Sequence, residues 1–291
     1  MEEPINKFIK ILVTGAKGQL GRCLQDVAIR FPNYDFHFKS STDLDITSKA
    51  GIETLFESEK FDYCINCAAY TAVDKAETDQ EKAFLVNAEA VKYLAEGCKE
   101  HKTILIHIST DFVFDGAKRT PYTEEDIPNP KNVYGASKLK GEHYVQEILE
   151  HYFIIRTSWV YSEYGHNFVK TMLRLGKERK EISVVNDQLG SPTYAGDLAS
   201  VILKIVSSKK VRYGLYHYSN EGVASWYDFA KAIFDKIGNE IHITPITTLE
   251  FPTPAKRPEF SVMDKSKFKN IFKVETEEWK DSLNKVLPLI K

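Results

Sequence analysis

The feature that most constrains the fold of this chain is a glycine-rich turn between a strand pattern and a helix pattern. Residues 8–14 form a short run rich in β-branched residues that ends at Gly15, and Gly18 and Gly21 follow at intervals of three. Gly15 permits a tight turn, Gly18 lets the backbone approach a pyrophosphate, and Gly21 lets the helix pack closely on the sheet. The helix N-terminus then offers free N–H groups and partial positive charge to phosphates. Although the spacing is G-x-x-G-x-x-G rather than G-x-G-x-x-G, this context predicts a dinucleotide site.

Strand and helix patterns alternate through the first half of the chain, as expected of an α/β domain with a parallel sheet. One helix pattern follows the glycine turn, and another covers residues 80–98. The predicted fold class is therefore α/β, with a Rossmann-type doubly wound parallel sheet. After residues 8–14, the predicted strands are residues 34–39, 64–66, 103–109 and 153–156.

The pattern changes after Tyr161. Aromatic residues and prolines become more frequent, and the proline-rich segment 252–258 cannot be a helix. We therefore predict a dinucleotide-binding domain over residues 1–161 and a smaller C-terminal α+β substrate-binding lobe over residues 162–291. Within the second range, residues from about 194 to 218 are expected to return to the first domain.

Composition argues against several classes of partner. The 291 residues contain 39 Lys and Arg against 41 Asp and Glu, so no strong field favours nucleic acid or an anionic membrane. No apolar run approaches the ~20 residues that a transmembrane helix needs, and the polar segment 1–7 has no signal-peptide pattern. We expect a cytoplasmic protein that binds neither nucleic acid nor membranes.

Two of the four cysteines, Cys64 and Cys67, have the C-x-x-C spacing that also occurs in redox and zinc sites. They fall at the end of a predicted strand, and no second Cys or His pair lies at ligand spacing. Because free cysteine is among the most buried residue types, packing in the core is the favoured interpretation. No metal is predicted.

The end of the second predicted strand bears on the choice of cofactor. This strand normally ends in an acidic residue that binds the adenosine ribose of NAD, but here it ends in Lys39, which two serines follow. A cation at this place would hold a 2′-phosphate, which favours NADPH. The alternative is that Lys39 is only exposed and that Asp43 or Asp45 serves the ribose, so NADH stays open as a cofactor.

Thr110, Tyr134 and Lys138 have the character of a proton-transfer site. Thr110 ends the fourth predicted strand of the first domain, and ligands bind beyond the carboxyl ends of strands in open α/β sheets. Tyr134 and Lys138 lie one helical turn apart, on one face. A free tyrosine has a pKa of about 10, and an ammonium about 4 Å away favours the phenolate by roughly 4 kcal/mol.

We therefore expect Lys138 to lower the pKa of Tyr134, Tyr134 to act as a general acid, and Thr110 to orient a carbonyl group. The alternative is a chance Tyr–Lys pair on a surface helix. The dinucleotide turn and the hydroxyl at a strand end favour the functional interpretation.

These residues and the glycine turn resemble the signature of the extended short-chain dehydrogenase/reductases. Several longer segments are similar to one family within that superfamily, the dTDP-4-dehydrorhamnose reductases, and the resemblance covers nearly the whole chain. The segments are residues 66–77, 109–114, 132–135, 156–161, 167–173, 186–193 and 252–258.

The resemblance implies an NAD(P)H-dependent reduction of the 4-keto group of dTDP-4-dehydro-L-rhamnose (dTDP-6-deoxy-L-lyxo-4-hexulose) to dTDP-L-rhamnose, a step in polysaccharide biosynthesis. It implies that Tyr134 donates a proton to the 4-oxygen and that Lys138 holds the nicotinamide ribose. Thr110 and Asp111 would face the sugar. The cofactor would be lined by Gly15, Gly18, Gln19, Leu20, Asp45, Ile46, Ala68, Ala69, Tyr70, Thr71 and Asn87.

Two further residues gain a substrate role from the resemblance. Trp159 matches a tryptophan that contacts the sugar, although on its own it would be taken for a core residue. Arg257 is a candidate for the substrate diphosphate, because a guanidinium can bind phosphate bidentately; the alternative is an exposed surface charge. His107, in the middle of a strand, is expected to be a hydrogen-bonded core histidine.

One position departs from the family. Some members dimerise through a metal that an acidic residue just after the glycine turn helps to hold, but Arg22 and its neighbours offer no carboxylate there. A metal-bridged dimer is therefore not expected, and the chain could be a monomer or a homodimer.

Proteins with other functions share this scaffold. Nucleotide-sugar 4,6-dehydratases follow the strand-end Thr with Asp-Glu, whereas Asp111 is followed here by Phe112, so the base at this position is missing. A nucleotide-sugar 4-epimerase stays open because it shares the Tyr-x-x-x-Lys pair. A regulatory subunit like that of methionine adenosyltransferase, which acts chiefly as a binding partner, also stays open.

Overall fold

The computed structural model of the protein describes residues 8–208 and 212–290. The prediction that residues 1–7 are not a signal peptide therefore lies outside the described part. Its strands are β1 (Ile9–Thr14), β2 (Tyr34–Lys39), β3 (Tyr63–Asn66), β4 (Ile104–Thr110), β5 (Tyr152–Thr157), β6 (Val160–Tyr161), β7 (Glu181–Val185), β8 (Leu189–Gly190), β9 (Thr193–Tyr194), β10 (Gly214–His217), β11 (Ala224–Ser225) and β12 (His242–Ile246).

Helices separate most of these strands. They are α1 (Gln19–Ala28), α2 (Lys49–Ser58), α3 (Val73–Ala76), α4 (Gln80–Phe84), α5 (Ala90–His101), α6 (Val133–Ile148), α7 (Phe168–Glu178), α8 (Ala195–Ser207), α9 (Trp226–Ile237), α10 (Ser266–Phe272) and α11 (Trp279–Val286), with a π-helical segment at Leu85–Glu89 and short 3₁₀ turns at Asp111–Val113, Thr248–Glu250 and Leu287–Leu289.

The main sheet contains six parallel strands in the order β10-β5-β4-β3-β1-β2. The direction of winding reverses at β1, which has β2 on one side and β3 on the other. In a doubly wound sheet, this switch point opens a crevice at the carboxyl ends of the strands. The predicted α/β class with a Rossmann-type parallel sheet is confirmed.

Alternating side chains of β1 build the two layers of the core. Ile11 and Val13 pack against α1 and α8 on one face, and Leu12 packs against α2 and α5 on the other. All three are fully buried, and burying an aliphatic side chain of this size contributes about 1.5–3 kcal/mol. The central strand is therefore fixed by apolar packing on both faces, as its continuous hydrophobic run indicates.

The predicted strand at residues 34–39 has exactly the bounds of β2, and the others are correct to within one residue at each end. The helix predicted for residues 80–98 contains a π-helical segment instead of a regular turn and continues to His101. Segment 252–258 is a loop, as predicted from its prolines.

The second half of the chain forms a further cluster around α7, α9 and α11, with a parallel pair of β7 and β12. Strand β10, in contrast, pairs with β5 in the main sheet, and α8 shares a core cluster with α1. The division at residues 161 and 162 and the return of residues 194–218 stay predictions. Across the described residues, no helix combines the length and the apolar character that a membrane span requires.

The π-helical segment is fixed by a close approach of helix α6. A Cβ built on Gly141 would lie 2.2 Å from the backbone oxygen of Asn87, so only glycine fits there. The Asn87 side chain accepts a hydrogen bond from the backbone N–H of Tyr70 at 2.8 Å and donates to the Tyr70 carbonyl oxygen and the Ser137 hydroxyl, each at 3.0 Å. The π-helical turn thus places the buried amide of Asn87 where it joins the segment after β3 to helix α6.

We expect Gly141→Ala to lower the free energy of unfolding by about 2 kcal/mol, because the new methyl group overlaps backbone that cannot retreat without disturbing the Asn87 contacts. Urea unfolding measures the change. Glu147→Ala, at an exposed position of the same helix, is the control and should change stability by less than about 0.5 kcal/mol. Equal stabilities of the two variants would contradict this account of the π-helical segment.

Candidate active site

The glycine turn after β1 is built by close backbone contacts. Gly15 has φ +68°, and a Cβ there would lie 2.6 Å from the backbone nitrogen of Ala68. A Cβ on Gly21 would lie 2.4 Å from the Gly15 oxygen. Gly18 precedes α1 without a side-chain cap, so the first N–H groups of the helix stay available to an anion. The turn therefore has the shape and polarity that a pyrophosphate needs.

A cavity of about 300 Å³ opens at this turn, at the switch point of the sheet. Six of the residues predicted to bind a cofactor line it, namely Gly15, Gly18, Asp45, Ile46, Ala68 and Ala69. Six further lining residues were not predicted: Lys17, Ser41, Leu44, Thr47, Cys67 and Val86. The unpredicted residues lie in the glycine turn itself, in the loop after β2, directly after β3 and in the π-helical segment, where no sequence pattern marked them as cofactor residues.

The remaining predicted cofactor residues lie around the cavity. Leu20 is in the core, and the Gln19 side chain is hydrogen-bonded away from the cavity to the Ser162 hydroxyl at 3.1 Å and the Asn167 amide at 2.9 Å. Tyr70 is half-buried, its backbone held by Asn87, and Thr71 next to it is exposed. Gln19 therefore connects the glycine turn to the segment after β6, and its backbone rather than its side chain is available to phosphates.

The charges near the end of β2 differ from the prediction in one respect. Lys17, from the glycine turn, lines the cavity and lies 3.5 Å from the Thr42 hydroxyl, whereas half-buried Lys39 does not line it. The Asp43 carboxylate accepts hydrogen bonds from the Ser40 hydroxyl and N–H at 2.6 and 2.8 Å, and these bonds lower the pKa of Asp43. Asp43 is occupied in this way, but Asp45 lines the cavity together with Lys17, so a lysine for a 2′-phosphate and an aspartate for the ribose both stay predictions.

We expect Lys17→Ala to lower the ratio of kcat/KM for NADPH to that for NADH about tenfold, the effect of losing one charge-assisted contact. Lys39→Asp should shift the ratio in the same direction but less. Steady-state kinetics with both cofactors measures the ratios. Lys49→Ala, which removes an exposed lysine paired with Glu96, is the control, and a ratio unchanged in all three variants would exclude both lysines as readers of the phosphate.

The three predicted catalytic residues meet at the carboxyl edge of the sheet. Thr110 ends β4, and its hydroxyl donates to the Asp111 carboxylate at 3.0 Å. The Thr110 hydroxyl also acts on the Tyr134 phenol, whose pKa it lowers. Helix α6 begins just before Tyr134 because the Asn132 side chain caps it, accepting from the Gly135 N–H at 2.8 Å. The Phe112 ring packs edge-on against the Tyr134 ring.

The predicted effect of Lys138 on Tyr134 is wrong. Burial raises the pKa of Tyr134 to about 12, and the charge of Asp111 acts in the same direction, while the hydrogen bond with Thr110 opposes them. Lys138 is engaged elsewhere: its Nζ donates to the Ile108 carbonyl oxygen at 2.6 Å and lies 3.4 Å from the Nε2 of His107. Burial lowers the pKa of Lys138 to about 8. Desolvation therefore outweighs direct charge attraction at this site.

His107 is a hydrogen-bonded core residue, as predicted. Its Nδ1 is 3.1 Å from the Nδ2 of Asn66.

Asp111 is also buried. Burial raises the pKa of its carboxyl group to about 6, while Ser261 and Thr110 act to lower it. One of its oxygens has no hydrogen-bond partner in the part of the chain that the structure describes. That oxygen is also shielded from solvent.

Trp159 has a strained backbone. Its φ is +48°, unusual for a bulky residue, and its ring stacks on Trp226 with centroids 3.6 Å apart and planes 7° apart. The Trp226 Nε1 donates to the Gln188 side chain at 3.1 Å, which fixes the pair. Because such strain collects at functional sites, the geometry supports a ligand-facing role. Trp226 was not among the predicted site residues.

Arg257 is neither free nor an exposed surface charge. Its guanidinium binds both carboxylate oxygens of Asp74 at 2.8 and 2.7 Å and the Thr253 hydroxyl at 2.7 Å. The loop that carries it is joined to helix α6 through the Asn132 side chain, which donates to the Lys256 carbonyl at 2.8 Å. Arg257 therefore holds the proline-rich loop beside the segment that follows β3.

The cysteines are all free thiols. Cys64 is buried in the core, as predicted, but Cys67 is half-buried and lines the cavity at the glycine turn. No group of three or more His, Cys, Asp or Glu side chains with metal-binding geometry occurs among residues 8–208 and 212–290.

The structure combines a parallel doubly wound sheet, a dinucleotide-type turn, and a strand-end Thr beside a helix that carries Tyr-x-x-x-Lys. These features define an extended short-chain dehydrogenase/reductase. A sequence profile described as the RmlD substrate binding domain matches residues 9–290. The dTDP-4-dehydrorhamnose reductase of Aggregatibacter actinomycetemcomitans is 43% identical over 287 residues, which cover 95% of this chain and 98% of that protein. This chain belongs to the dTDP-4-dehydrorhamnose reductase family.

Solved structures agree with this assignment. The dTDP-4-dehydrorhamnose reductase of Clostridium acetobutylicum superposes with a TM-score of 0.93 and 44% identity, covering 96% of this chain and 99% of that one. The Bacillus anthracis enzyme, determined in complex with NADP, superposes with a TM-score of 0.91 and 40% identity, covering 96% and 98%.

Proposed function

We propose that this chain reduces the 4-keto group of dTDP-4-dehydro-L-rhamnose to give dTDP-L-rhamnose, with NADPH as the preferred cofactor. The observation that carries the proposal is the arrangement of Tyr134 and Lys138 one turn apart on α6, with the Thr110 hydroxyl, which lowers the pKa of the Tyr134 phenol, at the end of β4. Relatives of the same length that share both halves of the chain support the choice of substrate. The predicted cytoplasmic location and the monomeric or dimeric state stay predictions.

The reduction consists of a hydride transfer and a proton transfer. When bound, NADPH supplies the hydride that reduces carbon 4. The negative charge that develops on the 4-oxygen takes up the Tyr134 proton, and the Thr110 hydroxyl orients the oxygen. With its pKa raised to about 12, Tyr134 is protonated at neutral pH and holds the proton that the developing oxyanion takes up. Asp111, with its unpartnered oxygen, would accept a hydrogen bond from a sugar hydroxyl.

The substrate would extend from this centre towards Trp159 and Arg257. Trp159, held rigidly by Trp226, would contact the sugar, and Arg257 would bind the diphosphate. Asp74 fixes the Arg257 guanidinium and shares its charge, so the diphosphate would compete for it or bind its remaining N–H groups. This competition makes the loop at residues 252–258 sensitive to the substrate.

The function is tested by following NADPH oxidation with enzymatically prepared dTDP-4-dehydro-L-rhamnose and identifying the product by NMR. One NADPH consumed for each dTDP-L-rhamnose formed is the expected result. Tightly retained NAD together with interconversion of 4-epimers would identify a 4-epimerase instead. Absence of turnover together with stoichiometric recovery of a methionine adenosyltransferase would identify a regulatory subunit.

We expect Tyr134→Phe to lower kcat by roughly a hundredfold or more, the usual effect of losing a general acid. The dissociation constant for NADPH should stay nearly unchanged, because the aromatic ring and its packing on Phe112 are kept. Stopped-flow reduction and fluorescence titration measure the two quantities. Wild-type turnover in the variant would remove Tyr134 from the mechanism.

We expect Arg257→Leu to raise KM for the nucleotide sugar about tenfold or more, because a bidentate charge-assisted contact with phosphate is lost. Arg119→Leu is the matched control, since Arg119 forms an exposed ion pair with the nearby Glu259. Initial-rate kinetics distinguishes the two variants. An unchanged KM in Arg257→Leu would leave Arg257 with only its structural contact to Asp74.

A further inference from the structure

A row of buried polar side chains leads across the sheet to Lys138. Thr14, Asn66 and His107 are register partners on β1, β3 and β4, so they lie side by side on one face. The Thr14 hydroxyl donates to the Oδ1 of Asn66 at 2.6 Å, and the Nδ2 of Asn66 meets the Nδ1 of His107 at 3.1 Å. His107 is fully buried, and its Nε2 lies 3.4 Å from the Lys138 Nζ.

The orientation of the Asn66 amide determines where the His107 proton lies. The Oδ1 of Asn66 accepts a hydrogen bond from the backbone N–H of Ala68 at 3.2 Å, and a backbone N–H can only donate. The other amide atom is therefore the NH₂ group, which donates to the Nδ1 of His107. A neutral imidazole carries one proton, so that proton is on Nε2.

The His107 N–H thus points at the side chain of Lys138. An ammonium has no lone pair and cannot accept this hydrogen, whereas a neutral amine can. The arrangement is therefore unfavourable for the charged form of Lys138 and favourable for the neutral form. His107 itself stays neutral, since burial and the charge of Lys138 both lower its pKa well below its usual value.

Other titratable groups near Lys138 favour its charged form. Glu142, one turn further along α6, raises the pKa of Lys138, but its carboxylate is already bound by Arg156 at 2.6 and 2.9 Å. Cys67, after β3, acts in the same direction, although burial raises the pKa of its thiol and keeps it neutral. His107, which lies on the sheet, therefore differs from Glu142 and Cys67 in disfavouring the ammonium form of Lys138.

We propose that His107 is a positioning residue whose Nε2–H, fixed by Asn66, weakens the ammonium form of Lys138 so that this lysine can exchange a proton near neutral pH. This inference rests on the proposed acid–base role of Tyr134 and Lys138. An amine that loses and regains its proton near the working pH can exchange protons with the catalytic centre, which a permanently charged lysine cannot.

The first test is NMR of the wild-type protein saturated with NADPH. Long-range ¹⁵N–¹H correlation reports which ring nitrogen of each of the eight histidines carries a proton, and the His107 signals are those lost in His107→Leu. A proton on Nε2 that persists from pH 6 to 9 is expected. A proton on Nδ1, or an imidazolium in this range, would overturn the proposal.

The second test is the titration of Lys138, followed by the chemical shift of its ¹³Cε atom and by the pH dependence of kcat/KM. In the wild type, the lysine loses its proton, and activity that needs the ammonium falls, as the pH rises through about 8. In His107→Leu, the opposing N–H is gone, so both curves should move to higher pH by about one unit. His217→Leu is the matched control, since His217 is an equally buried strand histidine whose ring contacts the Tyr122 carbonyl instead.

Asn66→Asp provides a variant that keeps the histidine. A carboxylate accepts from the Nδ1 of His107, which moves the ring proton to Nδ1 and turns Nε2 towards Lys138 as an acceptor. The Lys138 titration should then move upward by more than in His107→Leu. An unmoved ring proton, or a Lys138 titration that is unchanged in whichever of these variants folds, would refute the proposal. The NMR readouts need no turnover, so they separate this result from failure of the proposed reaction.

Discussion

The structure depends on the row of hydrogen bonds that joins the end of β1 to the catalytic helix. Thr14 is linked to Asn66, Asn66 to His107, and His107 approaches Lys138. The same Asn66 oxygen holds the Ala68 N–H, and a Cβ on Gly15 would overlap that nitrogen. Because a buried polar group without a partner costs about 1–3 kcal/mol, no member of this row can move alone. The cofactor turn and the acid–base centre are in this way parts of one rigid unit.

Burial, rather than attraction between charges, determines the protonation states at this centre. Burial raises the pKa values of Tyr134 and Asp111 and lowers that of Lys138. A water-excluding site strengthens every interaction with a bound ligand, but it also favours neutral side chains in its absence. The Tyr–Lys spacing predicted a lowered pKa for Tyr134, but the extent of burial depends on the assembled structure, so the predicted direction was wrong.

The main sheet was predictable because its central strands are continuous apolar runs and its first turn needs glycines at fixed positions. Strand β2 was predicted to the residue, and Thr110, Tyr134 and Lys138 were located by spacing and by their place after a strand. The π-helical segment was not predictable, since it follows from the approach of Gly141 to Asn87 across two helices. Lys17 and Trp226 were missed for the same reason, as their partners are remote in sequence.

The sequence by itself determined the fold class, the glycine turn and the candidates for the acid–base residues, because periodicity, strand-end position and local spacing are properties of neighbouring residues. Only the tertiary structure decided how those residues are charged and oriented. The ion pair of Asp74 with Arg257, the strained Trp159 on Trp226, and the approach of His107 to Lys138 all join segments that are distant in the chain. Their energies depend on desolvation and on contacts that exist only when the sheet is assembled.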